Sequence, residues 1–138
     1  LRSISFFHSL ASADMCTATV EAFPNADMAI LCAAVADFTP CTTADKKIKK
    51  QDLATTTQHD SIATQHYSIA LKTTTDIAAT LGQMKQAHQK LIGFALETHD
   101  EAANAHGKLE RKNFDFIVLN SLNDQGAGFR VDTNKITI

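Results

Sequence analysis

The chain has 138 residues, of which 44% are hydrophobic and 20% are charged, and this is the size and composition of one ordinary globular domain. A formal net charge of −2 gives no general electrostatic attraction to nucleic acid. No apolar run approaches the roughly 20 residues of a membrane helix, and the three cysteines lack the C-x-x-C spacing of a zinc site. We therefore predict a single cytoplasmic domain over residues 1–138, with no nucleic-acid or membrane partner.

Helical and apolar segments alternate in the first half of the chain. Residues 12–23 place apolar side chains at helical spacing, and Ser12 is the expected N-cap. Residues 28–35 (MAILCAAV) form a continuous apolar run, which is typical of a strand buried on both faces of a parallel sheet, with Cys32 as a small buried side chain. Residues 41–66 are polar, and they predict an irregular excursion.

The second half predicts further strands and helices in turn. They are a strand at 67–72, a helix at 75–87, a strand at 90–96, a helix at 100–112, a strand at 115–119 and a terminal strand pair with its turn at 132–134. This order predicts a Rossmann-like α/β fold. We expect a three-layer sandwich with a mostly parallel sheet and a C-terminal strand pair.

Ligands in open parallel sheets collect at the carboxyl ends of the strands, and Asp37 is predicted to lie at one such end. Its carboxylate could hold a metal-bound phosphate or the hydroxyls of a ribose. The alternative, a turn residue that ends the strand, is favoured by position alone. The lysines at 46–50 are either a solvated face or, if this segment is extended, a phosphate-facing pair formed by Lys47 and Lys49.

Lys108 and Lys112 lie four residues apart, on one face of a predicted helix, and could reach a phosphate tail. The alternative is that they are surface lysines paired with Glu110 or Asp115. Phe94 could stack on a base or belong to the core. The histidines show no metal-ligand spacing, and G-x-G-x-x-G is absent. The residues alone predict an α/β domain that binds a nucleotide or phosphate.

Several blocks, in order, resemble the ligase half of the bacterial bifunctional phosphopantothenoylcysteine decarboxylase/synthetase. They are AFPNADMAILCAAVADFTP, ADKKIKK, LKTTTDIAATLG, LIGFALETHD, KLERKNFDFIVLN and GAGFRVDTNKITI. The chain departs from the family at Phe38, where many members have tyrosine, and at Thr75, where many have proline. Phe38 keeps the aromatic character of its position, and Thr75 keeps the backbone position.

The resemblance implies a CTP-dependent ligase that joins 4′-phosphopantothenate and cysteine through an acyl-cytidylate, with Mg²⁺ on the triphosphate. It gives Lys47 the catalytic role and places Asp37 near CTP and the cation. The other residues expected to bind CTP are Leu31, Cys32, Ala33, Thr75, Asp76, Ile77, Ala78, Phe94, Lys108 and Lys112.

Family members also have a glycine-rich turn and an asparagine-containing segment that this sequence, which starts at Leu1, does not show. We therefore expect the C-terminal portion of the ligase, inactive alone, without the FMN of the decarboxylase half. The resemblance further implies a homodimer. Two alternatives stay open: a nucleotide-binding module without its own catalysis, and an NAD(P)-dependent oxidoreductase.

Overall fold

The computed structural model describes residues 9–49, 68–121, 123 and 135–138. The chain divides into two compact units, Leu1–Val35 with Thr75–Ile138, and Ala36–Thr74. The first unit contains helices and strands in the order α1 (Ser12–Ala22), a 3₁₀ turn (Phe23–Asn25), β1 (Met28–Leu31), α2 (Ile77–Met84), β4 (Lys90–Glu97), α3 (Glu101–Arg111), β5 (Phe116–Ser121) and β6 (Ile136–Thr137). The second unit contains β2 (Phe38–Pro40) and β3 (Leu71–Thr73).

The first unit is built on a four-stranded sheet in the order β1-β4-β5-β6. β1, β4 and β5 run parallel, whereas β6 pairs antiparallel with β5. This arrangement confirms the predicted α/β class, the mostly parallel sheet and the C-terminal strand pair. The turn predicted at 132–134 lies outside the described residues.

The core lies between one face of this sheet and the helices. Leu91, Gly93 and Ala95 alternate along β4 on the buried face, as the two-residue period of a strand requires. Ile77 and Leu81 of α2 and Ala105 of α3 belong to the same buried cluster. The helices thus meet on the side of the sheet from which these three small or branched residues of β4 project.

The opposite face of the sheet carries exposed apolar side chains. They are Met28, Ile30, Phe94, Leu96, Phe116 and Ile136. The prediction that the first strand is buried on both faces is therefore wrong, and the strand is shorter than predicted because it ends at Leu31. Cys32 is exposed rather than buried. Among the described elements, no helix provides the predicted third layer on this face.

The starts of α1 and α2 each have a carboxylate that accepts from backbone N–H groups. Ala11, not the predicted Ser12, is the N-cap of α1, and the Asp14 carboxylate accepts from the N–H groups of Leu10 and Ala11 at 3.3 and 3.2 Å. At α2, the Asp76 carboxylate accepts from the Ala79 N–H at 3.0 Å. Both contacts satisfy donors that a helix start leaves unpaired.

Gln89 is a buried polar residue, only 1% exposed, directly before β4. Its amide nitrogen donates to the carbonyls of Phe23 and Ala26 at 2.8 and 2.7 Å, and its amide oxygen accepts from the Gln86 N–H at 3.0 Å. All of its main hydrogen-bonding groups are engaged, so it joins the end of the first helical segment to the start of the central strand.

Asp115 organises the amino end of the sheet. Its carboxylate accepts from Lys85 Nζ at 2.9 Å, from Lys90 Nζ at 3.0 Å and from the buried N–H of Leu91 at 2.8 Å. Burial raises the pKa of this carboxyl, but the hydrogen bond from Leu91 and those from the two ammonium groups outweigh it and hold the pKa well below its usual value.

The second unit is a short antiparallel pair in which Phe38 lies opposite Thr73. The strand predicted at 67–72 is thus β3, and it pairs with β2 rather than with the parallel sheet. Residues 41–49 form neither helix nor strand, as predicted for this part of the excursion, and 50–67 lie outside the described residues. No helix in the described ranges is both long and apolar enough to cross a membrane.

Candidate functional site

The carboxyl edge of the parallel sheet is stepped. Leu31 at the end of β1 pairs with Gly93, so that β4 continues for four residues beyond its neighbour, as far as Glu97. Glu97 lies opposite Ser121, the last residue of β5. This edge is where open parallel sheets bind ligands. Of the predicted residues at the end of β1, Leu31 is partly buried, whereas Cys32 and Ala33 are exposed.

The start of α2 gathers the predicted residues Thr75, Asp76, Ile77 and Ala78. Ile77 is buried in the core, which fixes the first turn of the helix against the sheet. The Asp76 carboxylate caps this turn and also pairs with Lys112 Nζ at 3.0 Å. Partial burial raises its pKa, but the Ala79 N–H and the Lys112 ammonium outweigh that effect, and the pKa of Asp76 is lowered overall.

Lys112 is positioned by a close approach between α2 and the end of α3. A side chain at Gly82 would overlap the backbone carbonyl of Lys112, so only glycine fits there. The next residue, Asn113, has a positive φ of 52°, and its amide nitrogen donates to the Gly82 carbonyl at 2.9 Å. These contacts hold the Lys112 backbone beside α2, within reach of Asp76.

Lys108 is one helical turn earlier on α3, and its ammonium lies 2.5 Å from a carboxylate oxygen of Glu97. The second oxygen of Glu97 is 3.4 Å from the side-chain amide of Asn104. The alternative that the two lysines pair with Glu110 or Asp115 is wrong, since their partners are Glu97 and Asp76. Glu110 lies instead 3.7 Å from His106.

A second polar network closes the edge beyond β5. Ser121 Oγ donates to Glu101 at 2.6 Å, and Asn123 Nδ2 donates to the same carboxylate oxygen at 2.9 Å. Asn123 also donates to the Thr98 carbonyl at 3.1 Å. These bonds attach the first turn of α3 to the end of β5 and thereby fix the helix that carries Lys108.

Phe94 lies on the sheet face that the helices leave uncovered, and its side chain is 42% exposed. It is therefore not a core residue, and its ring is accessible for stacking. Lys108 lies on the helix side of the same sheet. Phe94, the predicted base contact, and Lys108, a predicted phosphate contact, therefore lie on opposite faces of the sheet.

Asp37 and Lys47 belong to the second unit. Asp37 does not end a strand of the parallel sheet but lies directly before β2, and its carbonyl accepts from the Thr74 N–H at 2.9 Å. Its side chain and that of Lys47 are exposed. Among the described residues, no group of three or more His, Cys, Asp or Glu side chains could enclose a metal ion. The roles of Asp37 and Lys47 stay predictions.

Glu97 is the residue that sequence reasoning missed. It was visible only as an acid at a strand end, and no sequence rule pairs such an acid with a lysine eleven residues further along. The same holds for the pairing of Asp76 with Lys112. Both contacts depend on how α2 and α3 pack on the sheet, which residue spacing along one helix does not reveal.

Comparisons with known proteins support one family. The sequence profile described as "DNA/pantothenate metabolism flavoprotein C-terminal domain" matches residues 2–138. The coenzyme A biosynthesis bifunctional protein CoaBC of Bacillus subtilis (strain 168) is 44% identical over 127 residues, which are 92% of this chain and 28% of that protein. A protein named cysteine/cysteine sulfinic acid decarboxylase, from an unknown prokaryotic organism, is 56% identical over 127 residues, again 92% of this chain and 32% of that protein.

A solved structure agrees with this result. The crystal structure of the C-terminal domain of the coenzyme A biosynthesis bifunctional protein CoaBC matches with a TM-score of 0.58 and 35% identity, over 78% of this chain and 43% of that chain. The chain spans about a third or less of the length of the two curated relatives. These matches confirm the resemblance to the C-terminal portion of the ligase and the Rossmann-like fold class.

Proposed function

Because the chain belongs to the DNA/pantothenate metabolism flavoprotein C-terminal domain family, we propose that it acts in coenzyme A biosynthesis as part of a CTP-dependent phosphopantothenate–cysteine ligase. The observation that carries this proposal is the position of Lys108 and Lys112. Their ammonium groups meet carboxylates at the end of β4 and at the start of α2, the edge where a parallel sheet binds ligands. Two cations there suit a triphosphate.

The proposed reaction has two steps. A carboxylate oxygen of 4′-phosphopantothenate attacks the α-phosphorus of CTP, and the bond to pyrophosphate breaks, which leaves an acyl-cytidylate. The amine of cysteine then attacks the acyl carbon, loses a proton and displaces CMP, so that an amide forms. The main need of the first step is to neutralise charge on the phosphates, which positioned cations meet.

The residues of this chain take the following proposed roles. Lys108 and Lys112 hold the triphosphate, and Lys47 stabilises the charge that develops as pyrophosphate leaves. Phe94, on the other face of the sheet, offers its exposed ring to the cytosine base of a nucleotide that crosses the carboxyl edge, where β4 extends beyond β1. Backbone groups at 31–33 and 75–78 orient the nucleotide. Asp37, with an exposed carboxylate, is the proposed ligand of Mg²⁺, which in such sites is bound by one or two carboxylates plus substrate phosphates and supplies charge neutralisation.

The proposed assembly is a cytoplasmic homodimer. The second unit supports it through its exposed apolar side chains, Phe38, Ile48, Ile69 and Leu71. An isolated two-stranded pair is only marginally stable in water, and covering such side chains would stabilise it.

Calorimetry on the 138-residue chain with CTP, UTP and NAD tests the proposal. We expect CTP to bind in preference to UTP. Lys108→Gln and Lys112→Gln should each weaken CTP binding about tenfold to a hundredfold, because each removes a charge-assisted hydrogen bond. Arg111→Gln is the matched control, since it removes the same charge from the same helix at an exposed position. NAD binding without any response to CTP would contradict the proposal.

The role of Lys47 is tested separately, in a full-length ligase context. Lys47→Gln should lower the rate of pyrophosphate release about a hundredfold or more, while the melting temperature stays unchanged because the side chain is exposed. An unchanged rate removes Lys47 from the mechanism.

A second candidate function follows from the relative at 56% identity, which is named a cysteine/cysteine sulfinic acid decarboxylase. In that case the chain would be a non-catalytic module of a decarboxylase. Release of CO₂ from cysteine sulfinic acid by the full-length protein, with no CTP-dependent amide formation, would favour this candidate over the ligase.

A further inference from the structure

Glu97 forms the most closely held contact at the candidate site. Its carboxylate lies 2.5 Å from the Lys108 ammonium, and its side chain is only 13% exposed, whereas that of Lys108 is 35% exposed. The second carboxylate oxygen is 3.4 Å from Asn104, which also donates to the His99 carbonyl at 2.9 Å. A short, partly buried contact with additional support is stronger than an ordinary surface ion pair.

This pair competes with any phosphate that approaches Lys108. The ammonium of Lys108 has three N–H donors. A phosphate binds it most strongly when the Glu97 carboxylate no longer accepts from it. The apparent affinity of a ligand equals its intrinsic affinity multiplied by the fraction of protein in the binding-competent state, which here is the state with Lys108 released from Glu97. A carboxylate that holds Lys108 therefore weakens every phosphate ligand of that lysine by the same factor.

We propose that Glu97 is a competing counter-ion that lowers the affinity of Lys108 for phosphate groups and so favours the departure of pyrophosphate. The identity of the leaving group depends on the proposed ligase function, but the competition itself depends only on the observed pair. When pyrophosphate leaves, the ammonium returns to Glu97, so that the partly buried carboxylate regains its cation.

A purely structural role for Glu97 predicts the opposite result. If Glu97 only held Lys108 in place for the ligand, its neutralisation would loosen the lysine and weaken binding. If Glu97 competes, its neutralisation strengthens binding. The sign of the change in affinity therefore separates the two roles.

The test is calorimetric titration of the 138-residue chain with sodium pyrophosphate at low ionic strength. Glu97→Gln keeps the shape of the side chain and an oxygen that can accept from Lys108, so the fold should be retained. We expect its dissociation constant for pyrophosphate to fall about fivefold, the factor that corresponds to about 1 kcal/mol. Glu97→Asp keeps the charge but moves it away from Lys108 by one methylene group, so it should strengthen pyrophosphate binding by a smaller factor. It is the second variant for this test if Glu97→Gln lowers the melting temperature.

Two controls complete the test. Glu110→Gln makes the same charge change on α3 at a side chain that is 69% exposed, and it should leave pyrophosphate binding unchanged. In a Lys108→Gln background, Glu97→Gln should have no effect, because the gain depends on the lysine. Unchanged or weaker binding by Glu97→Gln overturns the proposal, and so does an equal gain from Glu110→Gln or a gain that persists without Lys108.

CTP titration of the unaltered chain separates this inference from the proposed function. If the chain binds CTP but Glu97→Gln gains nothing for pyrophosphate, the counter-ion role fails and the ligase proposal stands. If Glu97→Gln gains pyrophosphate binding while CTP does not bind, the counter-ion role stands and the nucleotide assignment fails.

Discussion

Replacing Asp115 with alanine removes the acceptor of three hydrogen bonds at the amino end of the sheet. The N–H of Leu91, a residue that is 0% exposed, would lose its partner, at a cost of about 1–3 kcal/mol. Lys85 keeps the Asn113 carbonyl at 2.7 Å, so its loss is roughly 1 kcal/mol. Lys90 is half exposed and adds about 0–1 kcal/mol. We expect Asp115→Ala to lower the free energy of unfolding by about 2–5 kcal/mol.

Asp115→Asn is the informative comparison, because its amide oxygen can still accept from the Leu91 N–H. Its cost should be about 1–2 kcal/mol, mainly from the lost charge facing two ammonium groups. Urea unfolding at pH 7, followed by circular dichroism, measures both variants, and an unchanged m-value confirms that the denatured state is the same. A loss below about 0.5 kcal/mol for Asp115→Ala would refute the assignment of this carboxylate as a stabilising centre.

The same comparison has a defined pH dependence. The pKa of Asp115 is lower in the folded chain than in the unfolded one, so its contribution is complete above the unfolded value of about 4 and is lost as the pH falls towards the folded value. The stability difference between the unaltered chain and Asp115→Asn should therefore be constant from pH 7 to about pH 5 and shrink below about pH 4. A difference that grows on acidification would contradict the lowered pKa.

Three further changes test the packing and capping described above. Gly93→Ala places a methyl group against the Phe114 ring and should cost about 1–3 kcal/mol in urea unfolding, with partial rescue by Phe114→Leu. Gln89→Leu removes the partner of the Gln86 N–H and of the Ala26 carbonyl, whereas the Phe23 carbonyl keeps the Ala26 N–H, and it should cost about 2–3 kcal/mol by thermal melting; a cost near zero would mean that water replaces the amide. Asp76→Ala should cost about 1 kcal/mol, whereas Asp76→Asn keeps the cap, so equal losses would show that the Lys112 ion pair, not the cap, stabilises α2.

The sequence was sufficient for the parts of the fold that depend on local pattern. The helices α1, α2 and α3 begin and end within a few residues of their predicted bounds, because caps and apolar spacing are local signals. The first strand was predicted four residues too long, since an apolar run does not show where backbone pairing stops. Its half-exposed side chains, such as Ile30, could not be foreseen because burial depends on which face of the sheet the helices cover.

The candidate site was predictable in its residues and not in its contacts. Lys108 and Lys112 were identified from their spacing and from the family blocks, yet their partners are distant in sequence. Glu97 and Asp76 meet them through the packing of α2 and α3 on the sheet, a tertiary arrangement that no local rule encodes. Asp37 was misplaced for the same reason, since its assignment to a strand end depended on the overlong first strand.

Gly82 has a consequence for how this family can vary. Because no side chain fits between α2 and the Lys112 carbonyl, position 82 acts as a spacer of fixed width between two helices. A homologue with a larger residue there must move the turn at Asn113 outward and carry the lysine away from Asp76. Substitutions at 82, 112 and 113 are thus expected to occur together. Covariation of these positions across relatives would therefore reflect the close approach between Gly82 and the Lys112 carbonyl.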